Sequence, residues 1–121
     1  SMIYWGKVLY MTEHILPNIP DSILVEYTAD EILRVEANRK ETYFHFVENQ
    51  LFYKEDQNSK LKYVDRRPNT NELGDKAPGR IGQYLGWDIV RSYMKHNDVS
   101  LMELMSDTDH RQIFEKAKYK P

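Results

Sequence analysis

The stretch Pro78-Gly79-Arg80-Ile81-Gly82-Gln83-Tyr84-Leu85-Gly86-Trp87-Asp88-Ile89-Val90-Arg91-Ser92-Tyr93-Met94 sets three glycines and two arginines into an otherwise helical pattern. An interior glycine costs a helix about 0.5–1 kcal/mol relative to alanine, so something must favour Gly82 and Gly86. They lie one turn apart on one face, where missing side chains let another backbone come close. Pro78 suits a first helical turn and Asn97-Asp98 ends the pattern, which predicts a helix over 78–96. The glycine series lacks the Gly-Lys-Ser/Thr ending of a phosphate loop and follows no strand. Gly82 and Gly86 are therefore read as packing residues of a central helix, and Gly86→Leu is expected to disrupt it.

Working outward, residues 3–15 carry apolar side chains on most sides, Trp5, Val8, Leu9, Met11 and Ile15 among them, as a helix buried on more than one face does. No cap precedes it, and Ser1-Met2 reads as an expression scar ahead of a fragment of a longer protein. Pro17 and Pro20 end this helix, and Ile23-Leu24-Val25 reads as a connector or a single strand-like turn. Thr28 and Glu31 form a capping box for a second helix over 29–53. Ile32, Val35, Tyr43, Phe46, Val47 and Leu51 give it an apolar stripe, and with no glycine or proline between them it is expected to run unbroken past Asn38.

Residues 54–77 turn polar and read as a long surface loop, with a short ordered patch at Leu61 to Val64. Ser100 and Glu103 make a second capping box for a short helix over 101–105, and Asp107 caps a last one over 108–118. The whole is an all-α single domain spanning 1–121, with about five helices.

Composition narrows the function. A net charge of −2 on 121 residues gives no reason to expect nucleic acid. No apolar run approaches the roughly 20 residues of a membrane span, so this segment is not expected to insert. With no cysteine in the sequence, disulfides, thiolate metal sites and cysteine nucleophiles are excluded. The four histidines form no His-x-x-x-His pair. Glu41 with His45, and Glu13 with His14, are better explained as ordinary polar contacts than as metal ligands. No metal, cofactor or catalytic residue is expected. Arg80 and Arg91, about 16 Å apart on one side of the predicted helix, are candidate anion contacts, with Tyr84 and Trp87 as groove-lining aromatics. The plainer alternative has both arginines bonding helix-end carbonyls or carboxylates.

The 78–94 stretch, followed by Val99-Ser100-Leu101-Met102-Glu103-Leu104-Met105 and by Ala117-Lys118-Tyr119-Lys120-Pro121, resembles the C-terminal part of GldB-like gliding-motility lipoproteins of Bacteroidetes. Upstream, Met2-Ile3-Tyr4-Trp5-Gly6-Lys7-Val8-Leu9-Tyr10, Leu16-Pro17 and Glu26-Tyr27-Thr28 extend the resemblance over nearly the whole chain. It implies a non-catalytic helical domain of a cell-envelope lipoprotein in a gliding or secretion apparatus. Such a protein sits on the periplasmic side, lipid-anchored through an N-terminal region, and its partners are other envelope proteins or the upstream part of its own chain.

That family is similar in turn to zinc peptidases of zincin type, which makes this chain resemble the C-terminal half of a zincin-like domain. The alternative function is therefore the C-terminal part of a zinc-dependent peptidase whose His-Glu-x-x-His helix lies upstream. In that reading Tyr84 or Arg91 would border the substrate. This sequence contains no His-Glu-x-x-His, and Trp5-Gly6 stands where peptidase-like relatives offer a glutamate before a glycine as third ligand.

Overall fold

Helix α1 spans Met2–Ile15, and its start is capped after all: the Ser1 hydroxyl accepts a hydrogen bond from the Tyr4 amide at 3.2 Å. The computed structural model describes residues 1–52 and 80–121. Among these, α1 is followed by α2 (Asp21–Leu24), α3 (Ala29–Glu48), α4 (Ile81–His96), α5 (Leu101–Ser106) and α6 (His110–Ala117), with no strand. The expected all-α class holds. The loop over 54–77, the patch at Leu61 to Val64, and Pro78 and Gly79 lie outside the described residues.

Among the described residues the helices number six rather than the expected five, because Ile23 and Leu24, expected in a connector or strand-like turn, belong to α2. Pro20 stands at its N-cap, and its carbonyl accepts from the amides of Ile23 and Leu24 at 3.0 and 3.2 Å. Proline cannot continue a helix from before, but it opens one readily because its own amide is not needed.

Helix α3 begins at the Thr28–Glu31 capping box, both of whose hydrogen bonds are present, at 3.1 and 2.9 Å. It is not unbroken: Asn38 has φ −117° and ψ 15°, a kink inside the helix. The Asn38 side-chain amide donates to the Arg34 carbonyl at 2.9 Å, and the Thr42 hydroxyl donates to the Asn38 carbonyl at 2.9 Å. Such side-chain bonds compete with the helical ladder and bend it without glycine or proline. The helix also stops at Glu48 rather than near residue 53. Gln50 turns left-handed with φ 55°, and the amides of Gln50 and Leu51 reach back to the carbonyls of Val47 and Phe46 at 3.1 and 2.9 Å. This is the Schellman pattern, closed by the buried pair Phe46 and Leu51.

Helix α4 is the centre of the molecule, with nine buried residues facing its neighbours. It starts at Ile81, three residues later than expected, because Arg80 stands at the N-cap with φ 60° rather than inside the helix. Its close backbone neighbour is α1. A β-carbon built on Gly86 would lie 2.1 Å from the Met2 carbonyl oxygen, and one on Gly6 would lie 2.2 Å from the Gly86 oxygen. The two glycines thus face each other across the α1–α4 contact, and neither position has room for a methyl group. Gly82 is also buried on α4.

Helix α6 packs on another side of α4. Phe52 fills the space between α3 and α6, with its ring 5.3 Å from Phe46 and 5.1 Å from Phe114. The Ser100–Glu103 capping box opens α5 as expected. The cap of α6 is Asp109, which accepts from the Gln112 amide at 3.1 Å, whereas Asp107 ends α5 and accepts from the Asp109 amide at 2.9 Å. The two aspartates are two residues apart, so spacing alone did not separate the cap from the turn before it. No helix among the described residues is long and apolar enough to cross a membrane.

Candidate functional site

Three turns into α4, the Arg91 guanidinium lies over the Trp87 indole, its Cζ 3.8 Å from the ring centre. Its Nε donates to Glu13 Oε1 at 3.2 Å, its Nη2 donates to Glu13 Oε2, and the same Nη2 is 3.1 Å from Asp21 Oδ2. Glu13 comes from the last turn of α1 and Asp21 from the first residue of α2, so one side chain holds three helices. Burial alone would pull the Arg91 pKa down. The bonds to Glu13 and the charges of Glu13 and Asp21 outweigh that and raise it, so the cation is locked on. The clamp borders an open cleft of about 500 Å³ lined by Tyr10, His14, Ile19 and Lys95 among others.

At the other end of α4, Arg80 donates to the carbonyls of Val25 and Glu26 at 2.7 and 3.0 Å and lies 3.6 Å from Glu26 Oε2. Its guanidinium sits 5.3 Å from the Tyr27 ring centre, and Tyr27 stacks on Tyr84. Arg80 therefore closes the exit from α2, where Glu26 takes the left-handed φ of 58°. The partner sets of Arg80 and Arg91 share no residue. The structure places the two arginines at separate helix junctions and does not bring them together as a clamp around one anion.

Tyr84 and Trp87 are buried, at 6% and 1% exposure, and so form the interior beneath the arginines rather than the wall of an open groove. The Tyr84 hydroxyl donates to Glu36 Oε1 at 3.0 Å. Glu36 also accepts from Arg39 Nη2 at 2.7 Å, and Arg39 Nε lies 3.4 Å from Asp88 Oδ2. Asp88 in turn accepts from the Tyr119 hydroxyl at 3.1 Å. Two carboxylates, one guanidinium and two phenols thus connect α3, α4 and the segment after α6. Burial pushes the Asp88 carboxyl above the usual carboxylate range, against the pull of Arg39 and of the Tyr119 hydrogen bond. Burial likewise raises the Tyr84 and Tyr119 phenols, reinforced by Asp88, so both remain donors.

Chemically these constellations join helices. No group of three or more histidine, aspartate or glutamate side chains able to hold a metal occurs among the described residues. Glu13, half of one sequence pair weighed for metal, is taken up by Arg91. The family model described as gliding motility protein GldB matches residues 1–121. The chain belongs to the GldB family. No curated protein and no solved structure matches it significantly.

Reasoning from the sequence missed the Glu36–Arg39–Asp88–Tyr119 network of this GldB-family chain. A signal for it was there: Asp88 is the single charge in the run from Ile81 to Val90, one turn from Tyr84 and three residues before Arg91. A carboxylate on an apolar helix face has to find a partner. Gly6, the other half of the glycine contact, was also missed as a packing residue.

Proposed function

We propose that this GldB-family chain is a non-catalytic helical domain of a cell-envelope lipoprotein acting in a gliding or secretion apparatus. It stands on the periplasmic side, tethered by a lipid on an N-terminal region, and works by contact with other envelope proteins or with the upstream part of its own chain. The observation that carries the reading is the family match over all 121 residues. The Arg91 and Asp88 constellations support it, because their charged groups are engaged with one another and serve to fix helices. Kinship with the C-terminal half of a zincin-like domain and an origin in Bacteroidetes belong to the same proposal.

The test uses the product of the complete gene expressed in its own host. Metabolic labelling with a palmitate analogue is expected to mark the protein, which should fractionate with membranes, and deletion of the gene should abolish colony spreading. An unlabelled, freely soluble product overturns the lipoprotein assignment. Metal analysis of the same preparation is expected to find no stoichiometric zinc; one zinc per chain would replace this reading with the zinc-peptidase alternative.

A further inference from the structure

A second cleft, of about 480 Å³, opens where the last turns of α4 meet the segment after α6, and its lining reads Arg91, Ser92, Lys95, His96, Lys118, Tyr119 and Lys120. It contains no acidic residue, in a chain whose net charge is −2. Arg91 is committed to Glu13 and Asp21. Lys95, Lys118 and Lys120 are exposed and have no ion-pair partner among the described residues. Lys95 also borders the neighbouring cleft, where the carboxylates of Glu13 and Asp21 are engaged by Arg91.

The walls are firmly built. The Ser92 hydroxyl donates to the Ala117 carbonyl at 2.6 Å, and the Asn97 side-chain amide donates to the Lys116 carbonyl at 2.9 Å, joining the end of α6 to the end of α4. Tyr119 is fixed between its two uncommitted lysine neighbours by the Asp88 hydrogen bond and by a ring contact with Tyr43 at 5.2 Å. Lys118 turns left-handed with φ 51°, which bends the chain back along the cleft. The His96 Nδ1 bonds the Ser92 carbonyl at 2.9 Å and so carries the proton there. Lys95, Lys118 and Lys120 line one cleft, so their like charges repel one another, and that cost is relieved when an anion is shared between them.

We infer that this cleft is a binding site for a phosphate-bearing anion, either a soluble phosphate ester or the headgroup of an anionic phospholipid. Three ammonium groups suit a phosphate as point charges, and the volume accommodates a headgroup-sized ligand. The inference stands on the cleft itself and is independent of the envelope reading.

The test is made on the whole chain. Inorganic pyrophosphate is titrated into labelled protein and followed by amide shifts. Sedimentation is run with vesicles of phosphatidylcholine alone and of phosphatidylcholine with phosphatidylglycerol. Amide shifts centred on Lys95, Lys118 and Lys120 are expected with pyrophosphate if the ligand is soluble. Selective sedimentation with the phosphatidylglycerol vesicles is expected if it is a lipid headgroup.

In either arm the triple variant Lys95→Gln/Lys118→Gln/Lys120→Gln should weaken binding by roughly a hundredfold. The control Lys40→Gln/Arg111→Gln, which removes charge outside the cleft, should leave it within about twofold. No binding in both arms, pyrophosphate shifts centred elsewhere, or equal weakening by the control overturns the inference. The shift map on the unmodified protein decides the pyrophosphate arm even where the triple variant does not fold. The single variant Lys118→Gln serves the vesicle arm in that case.

Discussion

At the scale of single residues, the glycine contact dominates. Alanine would favour either helix locally by about 0.5–1 kcal/mol. A methyl group 2.1 Å from the Met2 carbonyl oxygen has no rotamer with which to escape, because both the intruder and the obstacle are backbone-fixed. The steric term wins. Gly86→Ala should destabilise the fold by about 3 kcal/mol or more, and Gly6→Ala comparably, as measured by urea unfolding. Stability equal to or above that of the parent in either variant would show that α1 and α4 are not in backbone contact. Arg91 gives a second prediction at this scale. Lysine keeps the charge but loses the fork on Glu13 and the guanidinium's contact over the Trp87 ring, so Arg91→Lys should cost roughly 1–2 kcal/mol in the same assay. A neutral outcome would mean that charge alone holds the three helices.

Between elements, the Asp88 network joins α3 to α4 and to the segment beyond α6, and its balance depends on pH. The carboxyl is raised above its ordinary value of 3.8 by burial, so the folded chain holds this proton more tightly than the unfolded chain. The stability linked to that proton is fully present below the unfolded value and is lost as pH rises through the higher folded one. Asp88→Asn removes the buried charge while keeping an oxygen to accept from Tyr119, and Arg39 retains Glu36. The variant should therefore match or exceed the parent at neutral pH and lose that advantage as pH falls towards 3.8. Urea unfolding across that range checks it; a parent more stable than Asp88→Asn at neutral pH would show the Arg39 pairing to outweigh the burial.

What was legible at this scale follows from the range of the forces. Capping boxes at Thr28 and Ser100 bond across three residues, so the sequence displays them in full. The kink at Asn38 is also local, but it depends on whether the amide turns back onto Arg34, a choice that packing makes. Asp88 and Arg39 meet across two helices, and Gly6 meets Gly86 across 80 positions. Nothing in the spacing of either partner encodes the other.

For the molecule as a whole, the question is whether these separate ties make one cooperative unit. The segment after α6 is not helical, yet Tyr119 reaches Asp88 on α4 and Tyr43 on α3. The start of the chain is held as closely, since Ser1 Oγ lies 2.7 Å from His110 Nδ1 and Lys7 Nζ donates to the Asp107 carbonyl at 2.5 Å. Lys7 is buried, burial lowers its pKa despite nearby Asp107, and the Asp107 carbonyl gives its buried amino group an acceptor. If contacts of this kind couple the helices, damage at one end should appear everywhere at once. Tyr119→Ala leaves a donor missing at Asp88 and a gap beside Tyr43, and should lower global stability by roughly 2–3 kcal/mol. The loss should be shared: tryptophan fluorescence, from Trp5 on α1 and Trp87 on α4, and far-ultraviolet circular dichroism should shift to the same lower midpoint in urea. Midpoints that separate, with the fluorescence transition unmoved, would instead make the terminal segment an accessory to an independently stable α1–α4 core.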